Sequence, residues 1–86
     1  MWIILTYDIE VKRVQMIRKT CLPYLKWLQN SVFIGEITKG NLDILISKLK
    51  SQINAESDSI EIFKIRDENL AKRITLGISK EFSNII

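Results

Sequence analysis

Met1-Trp2-Ile3-Ile4-Leu5-Thr6-Tyr7-Asp8 opens the chain with four apolar residues in a row, Trp2 to Leu5, and then turns polar without a Gly or Pro to interrupt it. A short continuous apolar run of this kind reads as a central strand buried on both faces. Such a strand delivers one carboxylate, Asp8, to the edge of the core, directly ahead of a basic segment.

Beyond Asp8, the apolar residues Val14, Ile17 and Cys21 recur at three- and four-residue spacing, and Pro23 stops the pattern. This predicts a helix over about 10–22. Lys12 and Lys19 point away from its apolar stripe, and Arg13 and Arg18 flank it. Residues 24–38 are rich in aromatic and β-branched types with Asn30-Ser31 as the turn, which predicts a hairpin of strands at 25–29 and 32–38. Gly35, inside the second of these, marks a bulge or the close approach of another backbone. Leu42, Leu45, Ile46, Leu49 and Ile53 form one helical stripe, predicting a helix over 40–53. After the polar loop Asn54 to Asp58, the alternation in Ser59 to Ile65 predicts a fourth strand. The order βαββαβ is that of an α+β, ferredoxin-like sandwich spanning residues 1–66. Residues 67–86 stand apart as a C-terminal extension: a charged connector, a short strand-like piece Ile74–Ile78 and a tail. The four-stranded sheet has room for that piece only at an exposed edge, so it is expected to pair with the partner subunit of a dimer.

Composition narrows the classes. The chain has 86 residues, 47% of them hydrophobic and 27% charged, as in an ordinary globular domain rather than a disordered or repetitive one. A domain of this size buries roughly 60% of its unfolded surface, so association with a second copy would add stability. Phe33, Ile34 and Ile74–Ile78 are expected to leave strand-forming apolar surface that favours a homodimer. Cys21 stands alone in an apolar setting, which points to a packed thiol and a reducing, cytoplasmic compartment. No apolar run reaches the ~18 residues of a membrane span, and no signal peptide is read at the start. Residues 1–40 carry six basic and three acidic side chains, so the chain's entire net +3 lies there. That excess suits either a polyanionic partner or a solvated helix face.

The residue inventory is equally restrictive about chemistry. No histidine is present and only one cysteine, which removes Ser-His and Cys-His nucleophiles and the common zinc sites. The three glycines are too scattered to form a phosphate-cradling loop. Carboxylate chemistry with a hard cation remains, with Asp8 and Glu10 as the nearest candidates. Magnesium is satisfied by one or two carboxylates with waters and phosphate oxygens, so one Asp8 from each of two chains would suffice. As an isolated residue, Asp8 reads equally as the N-cap of the following helix.

Tyr7-Asp8-Ile9, the basic helix with Arg13 and Arg18-Lys19, the run Gln29-Asn30-Ser31-Val32-Phe33-Ile34-Gly35-Glu36, the Leu-rich helix and Asp58-Ser59-Ile60 together resemble CRISPR-associated protein two. The resemblance covers essentially the whole chain. Gln29–Glu36 is its most specific piece, with Ile34 standing where the family often has Glu. It implies a homodimer of ferredoxin-like subunits that acts in spacer acquisition, bridging dimers of CRISPR-associated protein one and binding duplex DNA. It also implies a metal-dependent endonuclease acting on RNA, including single-stranded RNA, or on DNA. In that reading Asp8 is the catalytic residue and the ligand of Mg2+ or Mn2+ near the dimer axis. Arg13 and Arg18, with Lys12 and Lys19 behind them, hold phosphates, while Tyr7 and Phe33 support the site or the dimer. A non-catalytic DNA scaffold, an mRNA-cutting toxin of related fold and a ligand-binding regulatory domain are the alternatives.

Overall fold

A computed structural model describes residues 1–66 and 74–77. Its elements are β1 (Trp2–Asp8), α1 (Val11–Cys21), β2 (Lys26–Gln29), β3 (Val32–Glu36), α2 (Lys39–Gln52) and β4 (Ser59–Ile65). The sheet order is β2-β3-β1-β4, and every neighbouring pair is antiparallel. β3 is thus inserted between β1 and β2, the two strands joined by α1, and β1 between β3 and β4, the two joined by α2. This is the ferredoxin-like interleaving expected from the element order.

Burial follows the pleat of β1. Ile3, Leu5 and Tyr7 are buried, and they share one core with Ile17 and Cys21 of α1, Phe33 of β3 and Leu42, Leu45 and Leu49 of α2. Trp2, Ile4 and Thr6, on the other face, are only half-buried. The expectation of a strand buried on both faces therefore holds for one face of the single chain, because both helices lie on the same side of the sheet. Opposite them, Ile4 is paired with Ile34 and Phe63, and Phe63 is 51% exposed. Phe33 departs from expectation in the same way: its side chain is wholly buried in the core, so it supports the β1–β3 centre from inside and offers no surface to a partner.

Local chemistry sets the boundaries. Thr38 caps α2, its hydroxyl accepting the Asn41 N–H at 3.1 Å, so the helix starts at Lys39 and β3 ends two residues earlier than expected. Asn30 turns the hairpin with φ +39°, a conformation that asparagine tolerates better than most residues. The ladder irregularity of the hairpin falls in β2, between Trp27 and Gln29, rather than at Gly35. Gly35 instead marks a close approach: a β-carbon there would lie 3.2 Å from Leu25 Cδ2 and 3.4 Å from Leu25 Cα. Cys21 is fully buried, and burial pushes its thiol up to about 12, which fits a packing role.

Ile74 and Leu76 are 89% and 91% exposed and form no strand within the single chain. Ile78, the end of the expected fifth strand, and the tail Ser83–Ile86, read as a docking strand, lie outside the described residues.

Gly35→Val tests the packing of the hairpin on its own preceding turn. The added branches meet Leu25 side chain and backbone together, so urea denaturation should show a loss of about 1–3 kcal/mol, the usual cost of overpacking. An unchanged midpoint would mean that Leu25 yields freely.

Candidate functional site

The end of β1, the first turns of α1 and the β2–β3 turn enclose a shallow cleft of about 290 Å³, lined by Tyr7, Asp8, Ile9, Val14, Arg18, Asn30 and Ser31. Asp8 enters it as the last residue of β1, opposite Ser59 of β4. Its side chain is exposed and takes part in no hydrogen bond or ion pair among the described residues. Asp8 is therefore not the cap of α1. Glu10 occupies the N-cap position and offers no side-chain cap of its own.

The carboxylate that secures this end of α1 is Asp58, immediately before β4. Its side chain is fully buried. Oδ1 accepts the Glu10 N–H at 3.0 Å and Arg13 Nη2 at 2.9 Å, while Oδ2 accepts the Asn54 N–H at 2.9 Å and Arg13 Nε. The two-pronged Arg13 contact, joined by two backbone N–H donors, holds the Asp58 carboxyl well below the usual carboxylate range despite the opposing effect of burial. Arg13 also reaches Ser57 Oγ at 3.1 Å and Glu10 at 3.5 Å.

This arrangement sorts the sequence-predicted cations. Arg13, expected on a phosphate, has its guanidinium engaged by Asp58, Ser57 and Glu10 with a side chain only 15% exposed. Arg18 lines the Asp8 cleft, its guanidinium 4.5 Å from the centroid of the Trp27 ring. Lys12 is exposed and loosely paired with Glu10 at 3.7 Å, and Lys19 is exposed on the outer face. Glu10, the second carboxylate candidate, faces Lys12 and Arg13 rather than Asp8. Beneath the cleft, Tyr7 donates its hydroxyl to the Asn30 carbonyl at 3.2 Å and packs its ring 6.2 Å from that of Phe33. Burial raises the Tyr7 phenol, against the nearby positive charge of Arg18, so it stays a neutral support.

Sequence reasoning missed Asp58 and Trp27 as parts of the site. In the sequence Asp58 is one of four polar residues in the five-residue loop 54–58, and only folding brings it to Arg13, 45 positions away. Trp27 carried the signal of an aromatic strand residue and no more.

For a metal, one chain offers little. No group of three or more His, Cys, Asp or Glu side chains is gathered among the described residues. A single unengaged carboxylate beside a shallow, water-accessible cleft fits a hydrated hard cation only if further oxygens come from a substrate or a second chain.

Comparison with known proteins adds a family. The model for the family described as CRISPR associated protein Cas2 matches residues 1–73. The CRISPR-associated endoribonuclease Cas2 of Pyrococcus furiosus is 41% identical over 80 residues, covering 93% of this chain and 92% of that protein. A crystal structure of Cas2 superposes with TM-score 0.86 at 38% identity, over 93% of this chain and 90% of the other. Streptococcus pyogenes Cas2 at pH 6.5 gives 0.81 at 28% identity, over 90% and 100%.

The Asp58 network generates a pH prediction. A carboxyl whose folded value is depressed contributes stability that is fully present above its unfolded value, near 4, and lost as the pH falls toward the folded value. Urea midpoints should therefore drop progressively below about pH 4. Asp58→Asn should lower Tm at neutral pH by roughly 10 °C or more, since it leaves Arg13 without its counter-charge, and should flatten the acid dependence. An unaltered acid profile in Asp58→Asn would assign the acid loss to other carboxylates.

Proposed function

The chain belongs to the CRISPR-associated protein Cas2 family, and from that premise we propose that it is a homodimeric, metal-dependent endonuclease with Asp8 at its centre. Its substrate would be an RNA or DNA phosphodiester. The observation that carries the reading is the contrast between the two aspartates of the site: Asp58 is saturated with donors, while the side chain of Asp8, on the cleft, has none among the described residues. A strand-terminal carboxylate held rigid by the sheet, exposed, and not used by the fold is available for a ligand. Its relatives' name, CRISPR-associated endoribonuclease, supports a nuclease role.

Asp8 would hold Mg2+ or Mn2+, with the second copy's Asp8 and substrate oxygens completing the set. When bound, such an ion polarises a phosphoryl oxygen and acidifies an attacking water. The chain's own residues do the rest. Arg18 grips the phosphate from the α1 side of the cleft. Tyr7 and Phe33 keep the end of β1 from shifting, and Lys12 and Lys19 extend the positive surface along the outside of α1. Longer substrates, including duplex DNA, would meet that surface through phosphates alone, because no cluster of Asn, Gln and Arg suited to reading bases lies on the helix.

A second copy has somewhere to bind. Trp2, Ile4, Ile34 and Phe63 leave one face of the sheet partly apolar and open. Among the described residues, β4 is a terminal strand with an unpaired edge. Beside it runs a mainly apolar groove of about 340 Å³ lined by Ile46, Leu49, Ile53, Ile60 and Ile62 with Lys50. Ile74 and Leu76, alternating and exposed, have the pattern of a strand that would cover such a groove from another chain. An assembly of this kind, docking CRISPR-associated protein one and holding duplex DNA without cutting it, is the second reading. It is favoured by the single unengaged carboxylate that the described residues of each chain bring to the cleft.

Two measurements separate these ideas. Sedimentation at micromolar concentration should give twice the 10.0 kDa of the chain, and a persistent monomer would defeat the shared-metal site. Asp8→Asn should abolish magnesium-dependent cleavage by orders of magnitude while Tm, dimer and duplex binding persist, because no hydrogen bond or ion pair among the described residues depends on the Asp8 side chain. Undiminished cleavage by the purified variant would remove Asp8 from the chemistry. A wild type inert with magnesium and manganese would favour the scaffold.

A further inference from the structure

Among the residues that line the cleft, Arg18 carries the one positive charge and Asp8 the one negative. Arg18 is on α1 and is seated on a ring from β2: its guanidinium lies 4.5 Å from the Trp27 centroid. Trp27 is itself oriented, donating its indole N–H to the Asn30 carbonyl at 2.9 Å. The same carbonyl accepts the Tyr7 hydroxyl, so one acceptor in the positive-φ turn fixes the ring that seats the cation and the ring that precedes Asp8.

We propose that Trp27 is a positioning residue that presents Arg18 as the phosphate-gripping cation of the Asp8 cleft. Stacking occupies the flat face of a guanidinium and leaves its in-plane N–H donors free, the donors that match two phosphate oxygens. An unstacked arginine at the surface would have to be ordered on each binding event. Arg13 cannot take this part without abandoning Asp58, and Lys12 and Lys19 are outside the cleft. Asn30 and Ser31, in the β2–β3 turn, add neutral donors to the same space. The inference rests on the nucleic-acid reading above and specifies which side chain holds the backbone and what aims it.

The test uses the full-length protein carrying Asp8→Asn, so that cleavage does not consume the probe. Affinity for a labelled single-stranded RNA and for a labelled DNA duplex of mixed sequence is measured across a salt series. Arg18→Gln should weaken at least one probe about tenfold and reduce its logarithmic salt slope by about 0.7–0.9 for each phosphate that is no longer neutralised. Trp27→Leu should reproduce both effects with Arg18 present, whereas Trp27→Phe, which keeps a ring face, should recover most of the slope. A merely structural role for Trp27 would lower Tm and leave the slope of the folded fraction unchanged, and that result would overturn the proposal. So would an unchanged slope in Arg18→Gln. If neither the Asp8→Asn parent nor the unaltered protein in EDTA binds either probe, the nucleic-acid reading itself fails, a result distinct from either of these.

Discussion

One buried carboxylate organises the functional end of this molecule. Asp58 receives Arg13 through two nitrogens and the backbone N–H groups of Glu10 and Asn54, and so ties together the start of α1, the α2–β4 loop and the first residue of β4. Taking a charge out of water is costly unless its lone pairs are met with good geometry, and here they are. The consequence is positional. With the N-terminus of α1 fixed against the beginning of β4, and β4 paired along the whole of β1, the distance from Asp8 to the helix is no longer free. Arg18, less than two turns beyond Arg13 on α1, inherits its place on the cleft from that clamp.

Most of the fold was legible because its signals are local. The apolar run of β1, the Asn30-Ser31 turn and the stripe of Leu42, Leu45 and Leu49 each specify an element by periodicity or turn chemistry, and the observed boundaries lie within a few residues of those expected. The departures in burial have one origin, which is that pattern reports hydrophobicity and not coverage. Trp2, Ile4 and Phe33 look alike in sequence, yet both helices choose the side of the sheet that holds Phe33, and Trp2 and Ile4 are left facing outward. At the site, Asp8 was legible as a strand-terminal carboxylate and Arg18 as a cation at the border of an apolar stripe. Arg13 was legible as a cation too, but its partner lies 45 residues away, a separation that no local pattern spans.

The open face of the sheet and the exposed Ile74 and Leu76 belong to the same physical problem. Among the described residues, two helices cover only one side of a four-stranded sheet. The chain must either make the other side polar or share it. This sequence does neither fully within one chain: Thr6, Glu36 and Glu61 dilute the open face, while Ile4, Ile34 and Phe63 keep an apolar strip across its middle. Polar flanks around an apolar centre are the composition of an interface more than of a solvated surface.

Asp8 and Asp58 are the same side chain, each beside the end of a strand and each near the basic start of α1, and their fates are opposite. What separates them is the number of donors the fold aims at each. Asp58 has its oxygens filled from inside the chain and gives its charge to stability; any ion brought to it would have to displace Arg13. Asp8, one residue from the β1–α1 junction and exposed, has nothing to give up. A carboxylate in that condition contributes little to folding, and a fold that holds it in register with Ser59 keeps it fixed without using it. In a cleft whose described lining holds no histidine and no second carboxylate, that fixed and unused charge is the feature around which a ligand, or a second copy bringing another, can be assembled.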